Sequence, residues 1–184
     1  KEVIIGQGTF HATRKNKFLF FFTRDEVVEG VQTIKYNQNG LFVIEITDPK
    51  TGEIIASHDY SIAGNEMKIG STSVSSAYQG AGVNNRIFAQ TIDLHPEVTR
   101  VESLITGTSR DLYVDYLRNN PGATPLDAIK QTPAYKVRES AGFEVDAESL
   151  PALDEIKEGE GFVVVSRKKP VEELKSIELP PCPV

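Results

Sequence analysis

The chain has 184 residues and a net charge of −6, with 39% hydrophobic and 25% charged residues, the proportions of an ordinary globular domain. At this length a single domain is expected, burying roughly 70% of the unfolded chain's surface. The acidic balance and interspersed charges argue against nucleic acid as the main partner, which recruits clustered Lys and Arg. No apolar run approaches the ~20 residues needed to cross a membrane, so no membrane partner is expected. The single cysteine, Cys182, sits in a proline-rich tail, which excludes an intrachain disulfide and a cysteine metal site. His11, His58 and His95 are scattered without ligand spacing, so no metal is expected. The chain opens on "KEVIIGQG", with neither methionine nor a signal-peptide pattern. A processed product or a piece of a longer polypeptide both fit. A cytoplasmic location is expected, with a secreted effector as the alternative.

In chain order, Lys17 to Phe22 reads as a strand around "FLFFF", and Thr23 to Gly30 as a short helix or loop capped by Thr23. Leu41 to Thr47, Ile54 to Ile62 and Met67 to Ser75 form an antiparallel meander. Their turns come from "DPKTGE", with Pro49 and Gly52, and from "AGNE". Val83 to Leu94 has helical spacing, and Arg100 to Thr106 is a strand. Ser109 then caps a helix that Pro121-Gly122 breaks. Thr124-Pro125 and Thr132-Pro133 each look like a cap followed by proline in the first turn. The last of these helices runs from Pro133 to Ala141 and stops at Gly142. Phe143 to Val145 and Gly161 to Arg167 are two more strands, with the acidic excursion "DAESLPALDEIKEGE" between them. The order predicts an α+β fold, a mixed and mostly antiparallel sheet with helices on both faces. Residues 1–167 are read as one domain and 168–184 as a tail.

The segment "SVSSAYQGAGVNNRIF", Ser73 to Phe88, carries the chemistry. A strand runs into Gly80-Ala81-Gly82 and then into a helix, whose amino-terminus offers unpaired amides and the positive end of its dipole. A phosphate suits such a place, and glycine lets it approach without meeting a Cβ; a tight turn without a ligand is the plain alternative. The loop is neither a P-loop nor a dinucleotide fingerprint, lacking the lysine of the one and the third glycine of the other.

"AYQGAGVNNRIF" resembles the pyrophosphate-binding motif Q/R-x-x-G-x-G/A of the GNAT acyltransferase superfamily, with Gln79, Gly82 and Asn84 at its fixed positions. "AYKVRESAGFEV", Ala134 to Val145, looks like the family's "A…Y-x-x-x-G-F" segment. The resemblance covers Lys17 to Arg167 and implies a GNAT-like fold using acetyl-coenzyme A as co-substrate. It implies that Gln79, Gly80, Ala81, Gly82, Val83 and Asn84 hold the pyrophosphate, and that the preceding strand splays from its neighbour at a bulge. Val74, Ser75 and Ser76 would then line the pantetheine arm, with a backbone amide from this stretch polarising the thioester.

The acceptor would be a small amine or a protein amine. The position of the family's usual acid tyrosine is Arg138 here, with Tyr135 one turn earlier as the substitute acid. Glu102 is the candidate base, Glu45 a comparable one. His58 and Tyr60 share a strand face, read as solvent-facing in preference to lining the cleft. Tyr113 and Tyr116 are read as packing residues, Tyr78 as stacking on a ligand or packing the loop, and Arg138 as a surface ion pair in preference to a contact with a coenzyme phosphate or an acidic acceptor. A GNAT-like domain that binds coenzyme A without turnover is the alternative.

Overall fold

The computed structural model describes residues 2–18 and 22–170, with side chains described outside residues 15–25. Eight strands form one sheet in the order β1-β2-β3-β4-β5-β6-β8-β7. These are β1 Glu2–Phe18, β2 Phe22–Asn37, β3 Leu41–Thr47, β4 Ile54–Ala63, β5 Glu66–Val74, β6 Arg100–Ile105, β7 Phe143–Val145 and β8 Phe162–Lys168. The four α-helices are α1 Val83–Leu94, α2 Gly107–Asn119, α3 Pro125–Ile129 and α4 Pro133–Ser140. Neighbouring strands are antiparallel except β5 and β6, which are parallel and joined through α1. The expected mixed, mostly antiparallel α+β sheet is therefore present. None of the described helices is long and apolar enough to cross a membrane.

The region before Leu41 differs from the sequence reading. Thr23 to Gly30 is strand, not helix, and belongs to a hairpin of β1 and β2 paired along their whole length. The inward positions of β2 after Glu26 include Val28, Gly30 and Gln32, all buried, while Val27 points outward and is exposed. Apolar alternation is thus broken on both faces, and the strand signal disappears. The inward position 30 is glycine because a Cβ there would lie 2.8 Å from Ile46 Cγ2, closer than packed atoms sit. Of the "FLFFF" run, Phe18 ends β1 and Phe22 begins β2; residues 19–21, Cys182 and most of the proline-rich tail lie outside the described residues.

Cross-strand pairing puts Ile44, His58, Tyr60, Met67, Val101, Ile105 and Phe162 on one face. That face is the buried one, and every described helix packs on it. Val83, Ile87, Phe88 and Ile92 of α1 join Val137 of α4 in one core with Ile44, Tyr60 and Met67. Tyr113 and Val114 of α2 join Ala128 and Ile129 of α3 in a second core over Ile105, Phe162 and Val164. Successive right-handed crossovers that step the same way along a sheet put their helices on one side. The second helical layer expected on the opposite face is absent among the described residues. That face carries ion pairs instead, Lys35–Glu45 at 3.4 Å and Lys68–Glu102 at 3.5 Å.

Helix ends follow the local sequence. Thr124 accepts from the Asp127 amide, and Asp127 returns a bond to the Thr124 amide, a reciprocal cap for α3. Thr132 caps α4 through the Tyr135 amide at 3.2 Å. Helix α2 starts two residues before the expected Ser109 cap, with Thr106 at its N-cap.

Candidate active site

Strands β5 and β6 pair over only four residues, from Glu66 opposite Arg100 to Ile69 opposite Ser103. Beyond Ser103 they separate. The cause is visible on the other side of β5, where Gly70 and Ser71 together face the single residue Asp59. This bulge bends β5 away from β6. It is anchored by the Asp59 carboxylate, which accepts from the Ser71 amide and from the Ser71 hydroxyl at 2.9 Å. The bulge lies several residues before Val74–Ser76, the stretch in which the sequence reading sought the polarising amide. The Ser75 amide is already committed to the Ile55 carbonyl at 2.9 Å. By strand alternation the amides of Thr72 and Val74 point to the side that β6 has left.

The wedge between the strands holds a cavity of about 190 Å³. Its walls come from the bulge (Gly70 to Thr72), α1 (Asn84, Phe88), β6 (Ser103), the start of α2 (Ser109) and α4 (Val137, Arg138). It therefore sits at the seam between the two cores. Three polar residues of the wall are almost wholly buried: His58 at 1% exposure, Ser103 at 3% and Arg138 at 6%. His58 Nδ1 is 2.7 Å from the Thr72 hydroxyl. Its Nε2, the Ser103 hydroxyl and Arg138 Nε have no hydrogen-bond partner among the described residues. Burial, opposed by Asp59 and aided by Arg138, brings the His58 imidazole down to about 4. Burial also pulls the Arg138 guanidinium down to about 10, so it remains charged at neutral pH.

At the mouth lies the glycine loop. A short turn over Ser76–Tyr78 leads to Gly80 and Gly82, both left-handed with φ of 75° and 71°. Gly82 is the N-cap of α1, and no side chain caps that helix. The amides of Gly80, Gly82, Val83 and Asn84 make no hydrogen bond among the described residues. A Cβ on Gly82 would meet nothing within 4 Å, so the space beside this residue is open. Gln79 turns back to donate to the Val74 carbonyl at 3.1 Å, tying the loop to β5. Tyr78 is buried in the first core. An uncapped helix start facing open space suits an anionic pyrophosphate.

The candidate chemical groups fare differently. Glu102 is on the opposite face of β6, paired with Lys68 and, at 3.6 Å, with Arg100. Glu45 lies on that same face, paired with Lys35. The Tyr135 hydroxyl donates to Glu139 at 3.2 Å, and neither Tyr135 nor Glu102 lines the cavity. The His58–Tyr60 face, read as wet, is the buried one, with Tyr60 OH 3.2 Å from His95 Nε2. Arg138 is no surface ion pair, since no carboxylate meets it among the described residues. Tyr113 is a packing residue, its hydroxyl held by the Pro151 carbonyl at 2.7 Å. Nothing in the spacing of His58, Ser103 and Arg138 announces that they meet, because they come from three separate elements.

No protein-family model matches the chain, and no curated protein matches it. Solved structures do. The ribosomal-protein-S18-alanine N-acetyltransferase of Escherichia coli is 14% identical over 75% of this chain and 76% of that one, with a TM-score of 0.44. Nourseothricin acetyltransferase is 12% identical over 91% and 96%, also at 0.44. A GnaT-family acetyltransferase from Bordetella pertussis is 19% identical over 71% and 66%, at 0.42, so the chain spans just under two thirds of its length. Likenesses this distant leave the chemistry of this chain to its own cavity.

Proposed function

We propose that this chain is an acyltransferase of the GNAT type, moving an acetyl group from acetyl-coenzyme A to an amine acceptor by direct attack. One observation carries the reading: the splay of β5 from β6 opens a polar cavity, with a row of unbonded loop amides at its mouth. Coenzyme A supplies an activated thioester, and everything else falls to the chain. Gly80, Gly82, Val83 and Asn84 offer their amides to the pyrophosphate, and Gln79 holds the loop in place by its bond to Val74. Ala81 keeps the loop narrow between them. The unpaired edge of β5, through Thr72 and Val74, takes the amide groups of the pantetheine arm as an added strand would, beside Ser75 and Ser76. The Thr72 amide is the donor placed to polarise the thioester carbonyl. No carboxylate lines the cavity, so the amine gives up its proton to water.

Coenzyme A binding without turnover is the second reading, favoured because Glu102 and Tyr135 both lie outside the cavity wall. The test is calorimetric titration with acetyl-coenzyme A of the native chain and of Gly82→Trp, followed by an acceptor screen. Binding that disappears in the variant, with circular dichroism unchanged, supports the loop assignment. Absence of binding at millimolar ligand overturns it. Tight binding with hydrolysis-level turnover against all amines favours the second reading.

A further inference from the structure

The cavity wall contains one charged side chain and no opposite charge to meet it. Arg138 projects from α4, one of its terminal nitrogens held by the Ala134 carbonyl of its own helix and its Nε unpartnered. No Asp or Glu is among the residues that line the cavity. Asp59, adjacent to His58 in sequence, turns to the other side of the sheet and is engaged by Ser71. A guanidinium taken out of water normally brings a counter-ion with it, because its desolvation is otherwise uncompensated. The two remaining orphan groups flank it. With the Thr72 hydroxyl donating to His58 Nδ1, the Nε2–H is left as a donor, and the Ser103 hydroxyl is a second. A cation and two neutral donors, all buried, around a space of about 190 Å³ make a receptor for a small planar anion.

We propose that this cavity binds a carboxylate carried by one of the two substrates, with Arg138 as its counter-ion and His58 and Ser103 as flanking donors. The inference rests on the acyl-transfer reading for where that carboxylate comes from. It belongs either to a dicarboxylic acyl group on the thioester or to an amino-acid acceptor. In both cases the Arg138 fork fixes the carboxylate and thereby orients the reacting carbon or nitrogen attached to it.

Two matched pairs decide between the sources. Calorimetry on the full chain compares succinyl-coenzyme A with butyryl-coenzyme A, and L-alanine with L-alaninamide, in the native protein, Arg138→Gln and Arg138→Lys. We expect the carboxylate member of one pair to bind about tenfold or more tightly than its neutral partner. Arg138→Gln should abolish that preference and Arg138→Lys keep part of it. Preference in the thioester pair assigns the acyl group; preference in the amino-acid pair assigns the acceptor. Equal affinities within both pairs, or no carboxylate binding at millimolar concentration, overturn the proposal. If neither thioester binds, the coenzyme reading fails, while the amino-acid pair still decides the carboxylate inference. Should the variants not fold, the native protein answers alone: the Arg138 Nε–H resonance should shift with the carboxylate member and stay put with its neutral partner, and no shift overturns the proposal.

Discussion

Adjacent residues on the same two strands meet opposite fates in this molecule. On β4, His58 points into the helical layer and is sealed there, while Asp59 points to the bare face and takes two bonds from Ser71. On β6, Ser103 is buried with no partner, while Glu102 lies on the bare face between Lys68 and Arg100. Each strand thus deals one polar residue to each side. On the bare face, polar groups find partners or water and serve solubility and modest pairing. On the covered face, partners are withheld, and an unpaired buried group is costly enough to require an explanation. The candidate site is therefore best recognised by what its polar atoms lack. Choosing carboxylates for their chemistry leads to the wrong side of the sheet.

Three measurements would break or sharpen that contrast. The largest effect is expected on the covered face, where Phe88 packs edge-on against Phe143 at 6.1 Å between centroids. Phe88→Ala should lose about 3–5 kcal/mol of stability by chemical denaturation, and a loss below ~1 kcal/mol would mean that this wall is not a packed core.

The second is a pH effect. His58 is held neutral down to about 4 in the folded chain, against an ordinary value near 6.5. Above pH 6.5 it costs nothing, since both folded and unfolded forms are neutral. As pH falls from 6.5 towards 4 only the unfolded chain gains the proton, so His58 withdraws about 3 kcal/mol of stability, levelling off below the folded value. His58→Gln should remove that part of the slope, seen as the native-minus-variant difference in denaturation midpoints between pH 7 and pH 4. A difference that does not change with pH would show His58 to be hydrated.

The smallest effect is on the bare face. Glu102→Gln should change stability by no more than ~0.5–1 kcal/mol, shrinking further in high salt. It should leave coenzyme A binding untouched; a tenfold loss of activity would return Glu102 to the chemistry.

Local signals were strong where an element is specified by its own residues. Val83–Leu94 and Phe143–Val145 match the sequence reading residue for residue, and Thr124 and Thr132 cap the helices they were expected to cap. The glycine loop was legible because left-handed turns leave a compositional mark. The long hairpin was not, because Gly30 and Gln32 take inward positions and Val27 an outward one. The glycine at position 30 answers to Ile46 and Ile55 on other strands, which no local window contains.

By itself, then, the sequence determined a mixed α+β chain, the helix Val83–Leu94, the caps Thr124 and Thr132, and a glycine loop leading into a helix. These follow from backbone preferences and side-chain bonds a few residues long. Tertiary structure alone decided which face of the sheet is covered, where β5 leaves β6, and that Arg138, His58 and Ser103 share one cavity. Those facts depend on pairing register and helix packing across distant segments, where a shift of one residue would exchange His58 for Asp59 and Ser103 for Glu102.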